Sequence, residues 1–211
     1  MLLRRFLLVV LLTLAGCAEN PECADDGDCD WPNGEFCSPS GKCRCYWWED
    51  RTMTFYVNED CGSDVTLDDC LSAIQSAIDY WNAPECSDML LILGGTTPRR
   101  DVGYESDGED NVNLVIWRES DWQTQDCRDP ERPCRDPRAD ALVTATYDTH
   151  TGQIVDVDIE FNGEGFDFSK DDIESYMVHN FGDAIGVRDL ESLCTRFPTG
   201  EPCPCADEVV R

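Results

Sequence analysis

His179 and Asp183 stand four residues apart in the segment Tyr176-Met177-Val178-His179-Asn180-Phe181-Gly182-Asp183-Ala184-Ile185-Gly186-Val187-Arg188-Asp189. On a helix this spacing puts an imidazole nitrogen and a carboxylate on one face, where together they could take a divalent cation. Gly186 lets the chain leave the helix, and Asp189 could swing back toward the same point as a third ligand. Taken alone, a His–Asp pair at this spacing on an acidic surface is more often a mild side-chain pairing.

Other groups offer less. The only other histidine, His150, sits in the turn Asp148-Thr149-His150-Thr151-Gly152, where solvent exposure is the plainer reading. Two histidines exclude a three-His zinc site. Cys194 could add a thiolate, but a cysteine in an oxidising compartment is ordinarily bridged. Glu105-Ser106-Asp107-Gly108-Glu109-Asp110-Asn111 is an acidic turn without the twelve-residue calcium-loop pattern. Asp156, Asp158 and Glu160 alternate along one side of a strand, and in so acidic a chain they read as a solvated face. No nucleophile elbow or phosphate-binding glycine loop is present.

The elements that must position these groups follow from periodicity. Thr52–Val57 alternates as a strand. Thr66 then offers an N-cap with Asp69 three residues on, and Leu67, Leu71, Ile74, Ile78 and Trp81 form one face of a helix to about Asn82. Strands follow at Asp88–Leu93, ended by Gly94-Gly95, at Asn111–Trp117, at Ala141–Tyr147 and at Ile154–Phe161. Ser169, with Asp172 at its third position, caps a second helix running to about Gly186. This order predicts an α/β domain with a five-stranded mixed twisted sheet and two main helices.

Composition bounds the rest. The 211 residues carry 16 Lys+Arg against 44 Asp+Glu, a net charge of −28, a poor match for a phosphate backbone, so no nucleic acid is expected. Fourteen cysteines imply disulfides and export. Arg4 and Arg5 precede an apolar run, Phe6–Leu14, too short for a bilayer span of ~20 residues but right for a secretory signal. Cys23, Cys29, Cys37, Cys43 and Cys45 crowd residues 17–45, which hold almost no aliphatic side chain. Such a segment needs disulfides to fold, and serves as either a small binding module or a crosslinked stalk. Cys70 and Cys86, at opposite ends of the first helix, are separated by ~20 Å and cannot bridge each other. Cys127 and Cys134, in one loop, can pair.

Two resemblances sharpen this reading. Leu14-Ala15-Gly16-Cys17 resembles the bacterial lipobox. It implies removal of residues 1–16, a lipid on Cys17 and anchoring in the bacterial cell envelope, with Ala18 rather than Asp pointing to the outer membrane. Cys17 would then leave an odd number of thiols. The segment from His179 resembles the metzincin zinc helix, H-E-x-x-H-x-x-G-x-x-H/D, in its matrixin form. Phe55-Tyr56-Val57-Asn58, Tyr80-Trp81-Asn82, Asn113–Trp117, Ala141-Leu142-Val143-Thr144 and Thr151–Asn162 are similar to bacterial matrixin-type proteins in the same order. The resemblance covers about residues 52 to 189. It implies the metzincin upper subdomain, with matrixin-like residues 46–193 and a Cys-containing tail at 194–211.

That resemblance implies His179, Asp183 and Asp189 as the metal ligands, for zinc or another divalent ion. A His with two Asp is harder and more anionic than zinc prefers. The family's general base is a Glu; here Asn180 holds its place, and an amide cannot take a proton near neutral pH. Losing a general base typically costs ~10²–10⁴-fold in rate. No Met follows Asp189, so the family's Met turn is missing, and Cys194, Cys203 and Cys205 stand in the tail instead. Matrixins often carry structural calcium near the fifth strand, which makes Asp156, Asp158 and Glu160 its candidate ligands. Their substrate cleft lies along an edge strand, here Ala141–Tyr147. The expected function is a lipid-anchored, non-catalytic domain that binds extended peptide or protein ligands. Alternatives are an unusual metallohydrolase using His179, Asp183 and Asp189, and a Cys-rich binding module on a larger spacer domain.

Overall fold

The computed structural model describes residues 22–29, 35–83, 89–104, 111–120, 122 and 135–185. A two-stranded antiparallel unit, β1 (Glu35–Cys37) and β2 (Cys43–Cys45), leads into a six-stranded sheet. The sheet comprises β3 (Trp47–Trp48), β4 (Thr52–Asn58), β5 (Leu90–Thr97), β6 (Asn113–Trp117), β7 (Ala141–Tyr147) and β8 (Gln153–Phe161). Helix α1 (Leu67–Asn82) links β4 to β5, and α2 (Lys170–Ala184) follows β8.

The strands β5, β4, β6 and β8 lie side by side and parallel. β7 runs antiparallel along one edge of β8. β3 and β6 share the other edge of β8, with β3 at Gln153 and Ile154 and β6 from Ile159 to Phe161. The expected five strands are all present, and Trp47–Trp48 adds a sixth.

Both helices cover one face of the sheet. Phe55, Val57, Val115, Val157, Ile159 and Phe161 point into the core that Ile74, Ile78, Ile173, Met177 and Phe181 close. Parallel strands covered by helices bury this face continuously. Both capping signals form: Thr66 accepts from the amide of Asp69, and Ser169 and Asp172 make a reciprocal capping box.

Three local expectations are corrected. The buried side of α1 is Cys70, Ala73, Ile74, Ala77 and Ile78, whereas Leu67 is exposed. Small Ala side chains let the helix approach the sheet, and the Cys61–Cys70 disulfide turns Cys70 inward. Gly94-Gly95 does not end β5. Gly95 takes a φ of +99°, which glycine allows, and the register against β4 slips between Phe55 and Val57 as the strand continues. Gly94 is needed for packing, since a Cβ there would lie 2.8 Å from the Tyr56 ring.

The third correction bears on the site. Asp156, Asp158 and Glu160 are not a solvated face; they are 1%, 2% and 0% exposed. On the second face of the sheet, Gly103 and Arg118 bond Asp158 and Glu160, and the buried residues Trp122 and Arg135 complete the roof.

Candidate functional site

On α2 the His179 Nε2 and Asp183 Oδ2 atoms lie 3.6 Å apart, with half and a third of the side chains exposed. Two ligands of one tetrahedral ion at ~2.1 Å each stand roughly 3.4 Å apart, so this pair fits a common ion. Asp189, the expected third ligand, lies outside the described residues, as do Gly186, Cys17, Cys86, Cys127, Cys134, Cys194, Cys203 and Cys205. Asn180 is 5% exposed, and its Nδ2 has no hydrogen-bond partner. An amide there can donate a hydrogen bond but cannot take a proton from a metal-bound water.

Indole groups hold the backbone of this helix. Trp81 Nε1 donates to the Val178 carbonyl at 2.8 Å, and Trp48 Nε1 donates to the Ala184 carbonyl at 3.2 Å. The His179 turn is therefore tied to α1 and to β3 at once. Tyr176 donates to Asp140 at the base of β7, and this bond, more than burial, raises the phenol to about 12.

β7 lies beside this helix and pairs on one side only among the described residues. It reads ALVTATY, without charge or proline. Natural edge strands are usually blunted by Lys, Pro or a bulge. The opposite edge, β5, has its Gly95 irregularity and is followed by Pro98. β7 has only a register slip at its last step, between Thr146 and Tyr147.

The Cys-rich segment is docked at that end. Disulfides Cys23–Cys37 and Cys29–Cys43 hold it together. Phe36 stacks on Tyr46 with ring centres 4.9 Å apart, and Tyr147 contacts Phe36 at 5.1 Å and Tyr46 at 4.6 Å. The Trp47 amide donates to Gly152 O, and its indole donates to Thr151 O. Sequence reasoning missed this dock; the aromatic run Tyr46-Trp47-Trp48 directly after the cysteine block was the available signal.

The buried acids divide into two arrangements. Glu160 Oε2 accepts from Arg118 Nε at 2.6 Å and from Arg135 Nη2 at 2.5 Å. Asp158 accepts from the amides of Gly103 and Leu114. Burial raises its pKa, and those amides oppose the rise. No well-formed hydrogen bond reaches either oxygen of Asp156, Oδ1 of Asn111 or Oε1 of Glu160, although the Asn111 and Asp158 side chains lie close enough to act on the Asp156 carboxyl. Burial first, and the charge of Asp158 second, push Asp156 up to about 7. Buried oxygens without a well-formed hydrogen bond suit a hard cation, so Asp156 and Asn111 are the residues that would hold calcium, with Asp158 adjacent; Glu160 commits Oε2 to its arginines and leaves Oε1 without a hydrogen bond.

Among the described residues, the one set of three donors close enough to share an ion is the Sγ atoms of Cys23, Cys29 and Cys43, all within 4.8 Å. These three could bind a metal as thiolates, but here they belong to two neighbouring disulfides, and oxidised sulfur offers none. No helix among the described residues is long and apolar enough to cross a membrane. No protein-family model matches the chain, and no curated protein matches it significantly.

Proposed function

We propose that this chain is an envelope lipoprotein, anchored through Cys17, whose larger domain keeps a matrixin-like frame without peptidase chemistry and binds extended peptides along β7. One observation carries the reading: β7 is an uncharged, proline-free strand, paired only with β8 among the described residues, beside the helix bearing His179. Such an edge can add a peptide strand through main-chain hydrogen bonds. The order β5-β4-β6-β8-β7, with the last strand antiparallel, supports the family resemblance.

The non-catalytic part of the proposal rests on Asn180. When a metal is bound, it would act as a Lewis acid on a bound carbonyl; His179 and Asp183 are this chain's contribution to holding it. Asn180 supplies no proton acceptor at the place the family reserves for one. Peptide can therefore be held and oriented without being cut.

A His/Asp/Asp metallohydrolase is the second reading, favoured by the 3.6 Å His179–Asp183 separation. The two readings separate in one assay: internally quenched peptides are incubated with the mature protein and added zinc, and both anisotropy and cleavage are followed. Binding without cleavage is expected. Zinc-dependent cleavage would replace the first reading with the second.

A further inference from the structure

We infer that the Cys-rich module is a redox-gated zinc site. Oxidised, it holds the disulfides Cys23–Cys37 and Cys29–Cys43; reduced, it holds the ion on those same four cysteines. This site is separate from the β7 edge, and neither reading needs the other.

The backbone, and not only the sulfur bonds, collects these side chains. Cys37 and Cys43 are opposite partners in the β1–β2 ladder, and such partners project to one side of a sheet. The Cys23 amide donates to the Gly41 carbonyl at 3.0 Å, and Glu22 and Lys42 form an antiparallel bridge, so the incoming chain lies beside β2. A short loop then leads to Cys29, tightened where the amides of Ala24 and Gly27 donate to Asp28 and Asp25. As a result the Sγ atoms of Cys23, Cys29 and Cys43 all lie within 4.8 Å of one another. Cys37 is bonded to the first of them, with the two Cα atoms 5.8 Å apart. Four thiolates around one zinc at ~2.3 Å stand roughly 3.8 Å from each other, so small side-chain rotations turn this cluster into a tetrahedral site.

The gate is thiol–disulfide exchange with a dithiol reductant. Its thiolate attacks the Cys23–Cys37 bond first, because those residues are half-buried whereas Cys29 and Cys43 are only 9% and 5% exposed. The second thiol of the reductant resolves the mixed disulfide and leaves as a cyclic disulfide, and the protein keeps two thiols. A second dithiol does the same at Cys29–Cys43, which makes four thiols for four electrons. Zinc then displaces their protons and takes the thiolates, soft ligands that suit it. A disulfide oxidant reverses the sequence: the two bonds close and the ion is released. Residues 17–45 hold almost no aliphatic side chain, so in the reduced form the ion replaces the disulfides as the crosslink that keeps the module folded.

The test uses the full mature chain, reduced with a dithiol and desalted without oxygen. Zinc or buffer is added, N-ethylmaleimide follows, and mass spectrometry of the peptides reads the alkylation rate cysteine by cysteine. Zinc is expected to slow Cys23, Cys29, Cys37 and Cys43 about ten-fold or more, since a thiolate held by a metal is withdrawn from attack. Cys61 and Cys70, two sulfurs alone, should react at the same rate with and without zinc. Cobalt replaces zinc in parallel samples, read by thiolate-to-cobalt charge-transfer absorption, which His179 and the carboxylates cannot give. The reduced natural chain should show that absorption, the oxidised chain should not, and Cys29→Ser with Cys43→Ser should lose most of it. Equal alkylation rates with and without zinc at Cys23, Cys29 and Cys43 would overturn the site. So would cobalt absorption that the double variant leaves unaltered.

Discussion

The indole of Trp48 donates to the carbonyl oxygen of Ala184, 136 residues away in sequence, so the strand leaving the Cys-rich module braces the helix turn that carries His179 and Asp183. The bond sits where α2 runs out of its own donors, and one of its terminal carbonyls is satisfied by a distant side chain. Trp48→Phe keeps the ring and removes the donor. It should lower unfolding stability by about 0.5–1.5 kcal/mol, read from urea denaturation. An unchanged midpoint would mean that water replaces the indole without loss.

Asp156 sets a pH dependence. Its carboxyl ionises near 3.8 in the unfolded chain and at about 7 in the folded one. Between those values the folded state holds the extra proton, so stability falls as pH rises, and the loss is complete above about pH 7. The slope is at most ~1.4 kcal/mol per pH unit for one group. Asp156→Asn removes the titrating group, so its stability should decline less from pH 5 to pH 8. Parallel profiles for the two proteins would contradict this assignment.

Calcium probes the same carboxylates. A cation favours the ionised form, so calcium at pH 8 should raise the unfolding midpoint of the natural sequence and leave Asp156→Asn unmoved. The same midpoint in calcium and in chelator would remove calcium from the account.

Glu160 should be intolerant of truncation. Its carboxylate meets Arg118 and Arg135, and the Arg135 side chain is only 6% exposed. Glu160→Ala leaves a buried guanidinium unpaired and should cost about 3–5 kcal/mol, measured by denaturant unfolding. A cost below about 1 kcal/mol would show that Arg135 finds water or another acceptor.

Much of the frame was legible because the signals were local. Ser169 and Asp172 announced a capping box, and the alternation of Val155 to Phe161 announced β8. The burial of Asp156, Asp158 and Glu160 was not legible, because alternation of acid and apolar residues ordinarily means one wet face. Here the roof comes from Gly103, Arg118 and Arg135, remote in sequence and without periodicity of their own. The module dock was hidden for the same reason, since Phe36 meets Tyr147 across more than a hundred residues. The proximity of His179 and Asp183 on α2 was readable from helical spacing alone.

Binding without cleavage is the central claim, and Asn180 is where it is decided. The direct measurement is turnover of internally quenched peptides by the zinc-supplemented mature protein, with anisotropy recorded in the same samples. The account predicts saturable binding and no cleavage above the protein-free rate. Metal-dependent cleavage that a chelator abolishes and zinc restores would contradict it.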